Sequence, residues 1–315
     1  MLPRAIPIRT AGFRFLTFFL ALAASCLTAA IAWAQGNQPL LQEKATRVSE
    51  HVHVIMGFPN VAIVVGSRAT LVVDTGLGPR NGETVVRVAK QLSNNPKLFL
   101  TTTHFHPEHA GGEPGFPANT ILIRDTVQQE EMEQHGAAMM DAFRSRSAQN
   151  AELLAGVKLR TPDILFPTEA TIDLGGATAR LMWLGAAHTK GDELIFVEPD
   201  RTLIPGDIVQ SKLVPSIPGS DGSVKSWIAI LDKLAPLNPA YVVPDHGELG
   251  DGSLIAKERA FLGDVQSRAL ELKRQGVAAD DAGKQLVAGF KTKYPDWPNL
   301  NPIANLVRRV YAESQ

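Results

Sequence analysis

Residues 101–112 read Thr-Thr-Thr-His-Phe-His-Pro-Glu-His-Ala-Gly-Gly, and no other stretch of the chain restricts its fold as tightly. His104, His106, Glu108 and His109 fall within six residues, just after an apolar, β-branched run at 98–102 that predicts a buried strand. The strand therefore ends where the histidines begin. Neutral imidazole and carboxylate are the usual nitrogen and oxygen ligands of zinc, so a loop of this kind is a ready metal cradle. The chain has 8 histidines in 315 residues, and three of them in six positions beside a carboxylate is not a chance surface loop. Gly111 and Gly112 let the backbone turn tightly behind the cluster.

The pattern around this loop is that of alternating strands and helices. Residues 47–55 alternate as a half-buried strand, with His51 and His53 on its polar side. Residues 61–65 and 70–74 are continuous β-branched runs, expected of strands buried on both faces and joined by a turn at Gly66-Ser67-Arg68. Residues 82–92 carry Val85, Val88, Ala89 and Leu92 at helical spacing. A strand at 120–123 and a polar helix at 126–143 follow the histidine loop, and His135 reads as part of that helix's solvated face. Strands are then expected at 171–174, 178–184, 194–198 and 202–205, an amphipathic helix at 223–234 with Ser223 as N-cap, and a strand at 240–243. Each of His188, Asp207 and His246 stands just beyond a strand end. A metal pair needs ligands from several strands, and an aspartate at 207 could bridge two cations about 3.5–4 Å apart.

The first residues predict export. Arg4, Arg9 and Arg14 precede an apolar run from Phe15 to about Ala32, ending in Ala32-Trp33-Ala34 before polar Gln35. That is the pattern of a cleavable leader, residues 1–34, with cleavage near Ala34 and a periplasmic or secreted destination. Cys26 is the only cysteine, so the mature chain has no thiolate ligand and any metal site is built from His, Asp and Glu. Loss of three arginines moves the formal charge from −1 to −4. With no basic tract, nucleic acid is excluded as a partner, and after cleavage so is the membrane. A small-molecule substrate remains, and the oligomeric state is left open. Residues 35–250 are expected to form the catalytic domain. Helices at 254–274, 278–291 and 302–312 would pack on it as a C-terminal extension at 251–315, with the Trp297 segment near the site or in a subunit contact.

The sequence His104-x-His106-x-Glu108-His109, followed by His188, Asp207 and His246 with Asp74-Thr75-Gly76 upstream, resembles the metallo-β-lactamase superfamily over about residues 47–250. The resemblance implies an α/β fold, an αββα sandwich of two mixed sheets flanked by helices, with the metal site at one edge. It implies that His104, His106 and His188 hold a first zinc, that Glu108, His109 and His246 hold a second, and that Asp207 bridges them. Asp74 would orient the histidine loop without touching metal. The family usually has Asp at the position of Glu108, whose carboxylate is ~1.5 Å further from the backbone, so one or two zinc ions are expected. Asp207 argues against the cysteine-containing lactamase subclass. The implied activity is hydrolysis of a β-lactam, ester, lactone or thioester by zinc-bound hydroxide, with Glu108 or Asp207 handling the proton. Lys190 and Lys212 are candidate contacts for a substrate carboxylate. Two alternatives stand beside this reading: a β-lactamase proper, and a periplasmic metal-binding accessory protein of a redox pathway.

Overall fold

The computed structural model describes residues 40–218 and 222–314, so the expected leader lies outside the described residues. Four antiparallel strands open the fold: β1 (Thr46–Arg47), β2 (Val52–Ile55), β3 (Val61–Val65) and β4 (Ala69–Val73). Helix α1 (Pro79–Leu92) leads to β5 (Lys97–Thr101), which pairs parallel with β4. Beyond a single helical turn, α2 (Pro107–Ala110), the sheet continues in parallel through β6 (Ile121–Asp125) and β7 (Ile164–Phe166). Helices α3 (Thr126–Ser145) and α4 (Ala148–Leu153) connect β6 to β7. The result is a seven-stranded mixed sheet in the order β1 to β7.

The second sheet is an antiparallel run of β8 (Glu169–Asp173), β9 (Thr178–Trp183), β10 (Glu193–Glu198) and β11 (Thr202–Ile204). Helix α5 (Val224–Leu234) then crosses to β12 (Tyr241–Val242), parallel to β11. Helices α6 (Ser253–Arg274), α7 (Ala279–Lys293) and α8 (Ile303–Glu313) complete the chain.

Period-two alternation sorts the side chains into layers. Ala62, Val64, Leu71 and Val73 of the first sheet meet Ala179, Leu181, Ile195 and Val197 of the second in one apolar cluster. The intervening Val61, Ile63 and Val72 pack instead on Val85, Val86 and Ala89 of α1. Likewise Leu194 and Phe196 of β10 point outward to Trp227 and Leu231 of α5 and Phe261 of α6. Two mixed sheets face each other with helices on both outer faces, which is the αββα sandwich. Local signals fix the helix starts: Pro79 fits the first position of α1, Asp125 accepts from the Gln128 N–H to cap α3, and Ser223 caps α5 through the Ser226 N–H.

Several elements differ from expectation. The strand expected at 47–55 is broken, because Ser49 Oγ donates to Asp200 at 2.5 Å and the His51 backbone N–H and ring Nδ1 each lie 2.7 Å from the same carboxylate. Side-chain bonds there replace ladder bonds. Strand β7 and helix α4 were not anticipated. The Trp297 segment belongs to the C-terminal layer: its ring stacks on Phe261 with centroids 4.8 Å apart and planes 15° from parallel. It is therefore part of the outer core and not of the metal site.

Candidate metal centre

All the expected ligands converge at one edge of the sandwich. The backbone leaves β5 at Thr101, and α2 gathers Glu108 and His109 onto a single turn started by Pro107. Thr75 clamps this turn from behind: its N–H and its Oγ both donate to the His109 carbonyl, at 2.9 and 2.6 Å, and its Oγ accepts from Gly112 N–H at 2.9 Å. Asp207 sits on a short 3-10 turn at 206–208 whose Gly206 has φ 59; a Cβ there would lie 2.8 Å from the Thr103 Cβ. Only glycine lets Asp207 approach the histidine loop so closely. Trp227, fully buried on α5, donates its Nε1–H to the Ile208 carbonyl at 2.8 Å and fixes the other side of that turn.

The donor atoms form two groups sharing one carboxylate. His104 Nε2 lies 2.9 Å from His106 Nδ1, which lies 3.2 Å from His188 Nε2. Tetrahedral zinc with Zn–N bonds of 2.0–2.1 Å implies ligand edges of about 3.3 Å, so these three nitrogens have the spacing of one face of such a site. A second group, Glu108, His109 and His246, offers donor atoms all within 4.8 Å of one another. Asp207 lies between them, with Oδ2 3.3 Å from His188 Nε2 and Oδ1 3.3 Å from His246 Nε2. The longer arm of Glu108 is thus accommodated in the cluster. Glu108 Oε2, His109 Nε2 and Asp207 Oδ1 are buried without a hydrogen-bond partner, an arrangement costing about 1–3 kcal/mol per group unless a cation satisfies it. The imidazole and carboxylate set fits zinc.

Neighbouring acceptors fix the tautomers. His188 Nδ1 lies 2.5 Å from the Ser216 carbonyl, which can only accept, so the ring proton is on Nδ1 and Nε2 is free to ligate. His109 Nδ1 faces two carboxylates, Asp74 at 3.0 Å and Asp245 at 3.3 Å, and is likewise the protonated nitrogen. Asp74 also accepts from the Thr103 N–H at 2.7 Å, and Thr103 Oγ donates to Asp245 at 2.9 Å. Asp74 itself has φ 70, a left-handed conformation that Asp tolerates and that turns its carboxylate back over the loop.

Burial, reinforced by neighbouring imidazoles, His109 foremost for His104 and His188 foremost for His106, holds both well below the usual histidine range, so both are neutral ligands. Burial lowers His246 to about 4, outweighing the pull of Asp207. Burial alone would raise Asp207, but His246 and His188 beside it hold its carboxyl below the usual range. Burial raises Glu108 to about 7, with His109 opposing. For His109 burial is overcome by Asp74 and Asp245, and its pKa is raised.

Other sequence candidates fall elsewhere. Lys190 and Lys212 are exposed, and neither lines the cavity beside the cluster. His51 is tied to Asp200, and His53 sits apart on β2. His135 is exposed as expected, yet it stands on the wall of that cavity. Sequence reasoning gave no role to Asp245, although it adjoins His246. Nor did it find Glu131, which accepts the N–H groups of Lys190 and Gly191, or Asp192, which accepts those of Ala187 and Thr189; together these fix the His188 loop.

Comparison with known proteins agrees with this geometry. The linear primary-alkylsulfatase of Pseudomonas sp. (strain ATCC 19151) is 22% identical over 282 residues, covering 76% of this chain and 53% of the relative. The chain thus spans about half the length of that relative. Among solved structures, the stereoselective inverting sec-alkylsulfatase Pisa1 from Pseudomonas sp. is similar at a TM-score of 0.65 with 14% identity, over 85% of this chain and 50% of that one. A metallo-beta-lactamase from Pontibacter korlensis is similar at a TM-score of 0.57 with 20% identity, over 71% of this chain and 99% of that one. The profile of the metallo-beta-lactamase superfamily matches residues 55–246, from the end of β2 through the last histidine of the cluster, and the chain belongs to that superfamily.

Proposed function

We propose that this superfamily hydrolase is exported and zinc-dependent, and that it cleaves an ester-type bond. The observation that carries the reading is the pair of buried donor groups sharing Asp207 at the sandwich edge. His104, His106 and His188 would hold one cation and Glu108, His109 and His246 another, with Asp207 facing both. When bound, zinc supplies a Lewis acid that activates water at neutral pH and polarises the bond under attack. Asp74 and Asp245 keep His109 in the ligating tautomer, and the Ser216 carbonyl does so for His188. Glu108 or Asp207 would take the proton lost by water and pass it to the leaving oxygen. Water adds across the bond, giving an acid and an alcohol.

Two observations bear on the substrate. The alkylsulfatases match more of this chain than the lactamase does, which favours a sulfate or other ester of an alcohol. The lactamase, matched over 99% of its own length, keeps a β-lactam as the second reading. The test uses protein from Gln35 onward, loaded with zinc, and offers a chromogenic cephalosporin, 4-nitrophenyl esters and alkyl sulfates with and without chelator. Turnover lost with chelator and in His106→Ala is expected. Undiminished turnover in that variant would overturn the site, and no turnover by zinc-loaded protein would favour the accessory-protein reading.

A further inference from the structure

A cavity of about 280 Å³ opens directly beside His106 and His188. One wall is a single face of α3, where His135, Ala138, Met139 and Ala142 recur at helical spacing, and Phe105 and Pro218 complete it. The chemistry of this wall is one-sided. Glu131 also lines it, but its carboxylate accepts three N–H contacts of 2.9–3.2 Å from Lys190 and Gly191 and so serves the His188 loop. No lysine or arginine occurs among the described lining residues. An ionised substrate group placed here would meet no lysine or arginine on the walls, whereas hydrocarbon would gain from leaving water.

We propose that this cavity is an apolar subsite taking the neutral alkyl or aryl part of the substrate, held against α3 while the scissile bond lies over His106 and His188. The proposal rests on the hydrolase reading for the position of that bond, but not for the binding of the hydrocarbon. The cavity has room on the order of six to eight carbon-sized groups. Each methylene moved out of water contributes ~0.8 kcal/mol, which is about fourfold in kcat/KM or in affinity.

Two measurements on the zinc-loaded protein separate the subsite from the chemistry. The first is kcat/KM for 4-nitrophenyl acetate through decanoate. It should rise several-fold per methylene and level off near hexanoate to octanoate. The second is calorimetric binding of straight-chain alcohols from butanol to decanol, which needs no turnover and should tighten with length in the same way. Ala138→Trp, which fills the cavity from an exposed position, should cut the hexanoate-to-acetate ratio by tenfold or more and remove the length dependence of alcohol binding, with zinc content retained. Ester hydrolysis that ignores chain length, together with length-independent alcohol binding, would overturn the subsite while leaving the hydrolase standing. Length-dependent alcohol binding lost in Ala138→Trp, with no ester or sulfate cleaved, would keep the subsite and discard the hydrolase reading.

Discussion

Asp74→Asn isolates one charge at the centre of the site. Asn adopts the left-handed conformation at φ 70 as readily as Asp, so the backbone is not strained by the change. The Thr103 N–H keeps an acceptor in the amide oxygen. What is lost is the carboxylate oxygen 3.0 Å from His109 Nδ1, where an amide NH₂ would face a ring N–H. Two donors would then oppose each other at a buried point. Removing a partner that orients a ligating histidine typically lowers metal affinity 10–100-fold. Asp245, 3.3 Å from the same nitrogen, supplies a second acceptor, so the expected loss is at the lower end, about 10–30-fold or 1.4–2 kcal/mol. Zinc competition against a chromophoric chelator at pH 7.5 measures it directly. Because Asp74 and Asp245 share one ring, the double variant Asp74→Asn/Asp245→Asn should lose more than the product of the single losses. A zinc affinity for Asp74→Asn within twofold of wild type would refute the claim that this carboxylate orients His109.

Four further outcomes are expected. Gly206→Ala should lower zinc content and stability together, by about 1–3 kcal/mol in urea titration, because both φ 59 and the 2.8 Å approach to Thr103 exclude a Cβ. Trp227→Phe leaves the Ile208 carbonyl buried without its donor and should lower the unfolding free energy by about 2–4 kcal/mol, again read by urea titration. Burial holds Asp125 protonated up to about 7, so chelator-treated protein should lose stability as pH rises from about 4 to 7, at up to ~1.4 kcal/mol per unit from this group. Asp125→Asn, which keeps the helix cap, should flatten that slope in denaturant titrations at pH 5, 6 and 7. Glu108→Asp shortens the arm by one bond, so atomic-absorption analysis should show less zinc bound in the second group if the glutamate's reach is what the site requires.

The ligands were legible because each ends a strand and four of them are crowded into six residues. Strand and helix identities followed from two periods, and the C-terminal helices were placed to within about two residues at each end. Asp245 escaped because its partner, His109, lies 136 positions away in sequence, and nothing local distinguishes a carboxylate that props a histidine from one that faces water. Strand β7 escaped because Ile164 and Leu165 are both half-exposed and show no alternation. The wall formed by α3 was read correctly as an exposed face. That it borders the metal ligands depends on where His188, Thr189, Pro218 and Gly222 lie against it, which no periodicity reports.

The spread of ligands along the chain also bears on how a chain with a single cysteine is held together. A cation gripping His109 and His246 would tie together points 137 residues apart, closing a loop as a cross-link would. By the chain-entropy estimate for a covalent bridge over such a span, that restriction corresponds to about 5 kcal/mol drawn from the unfolded ensemble. Since the only cysteine is Cys26, no intrachain disulfide is available for the task, and the metal would serve as the chain's reversible staple. Because His246 stands just past β12, occupancy of the second group would report that β12 has joined β11.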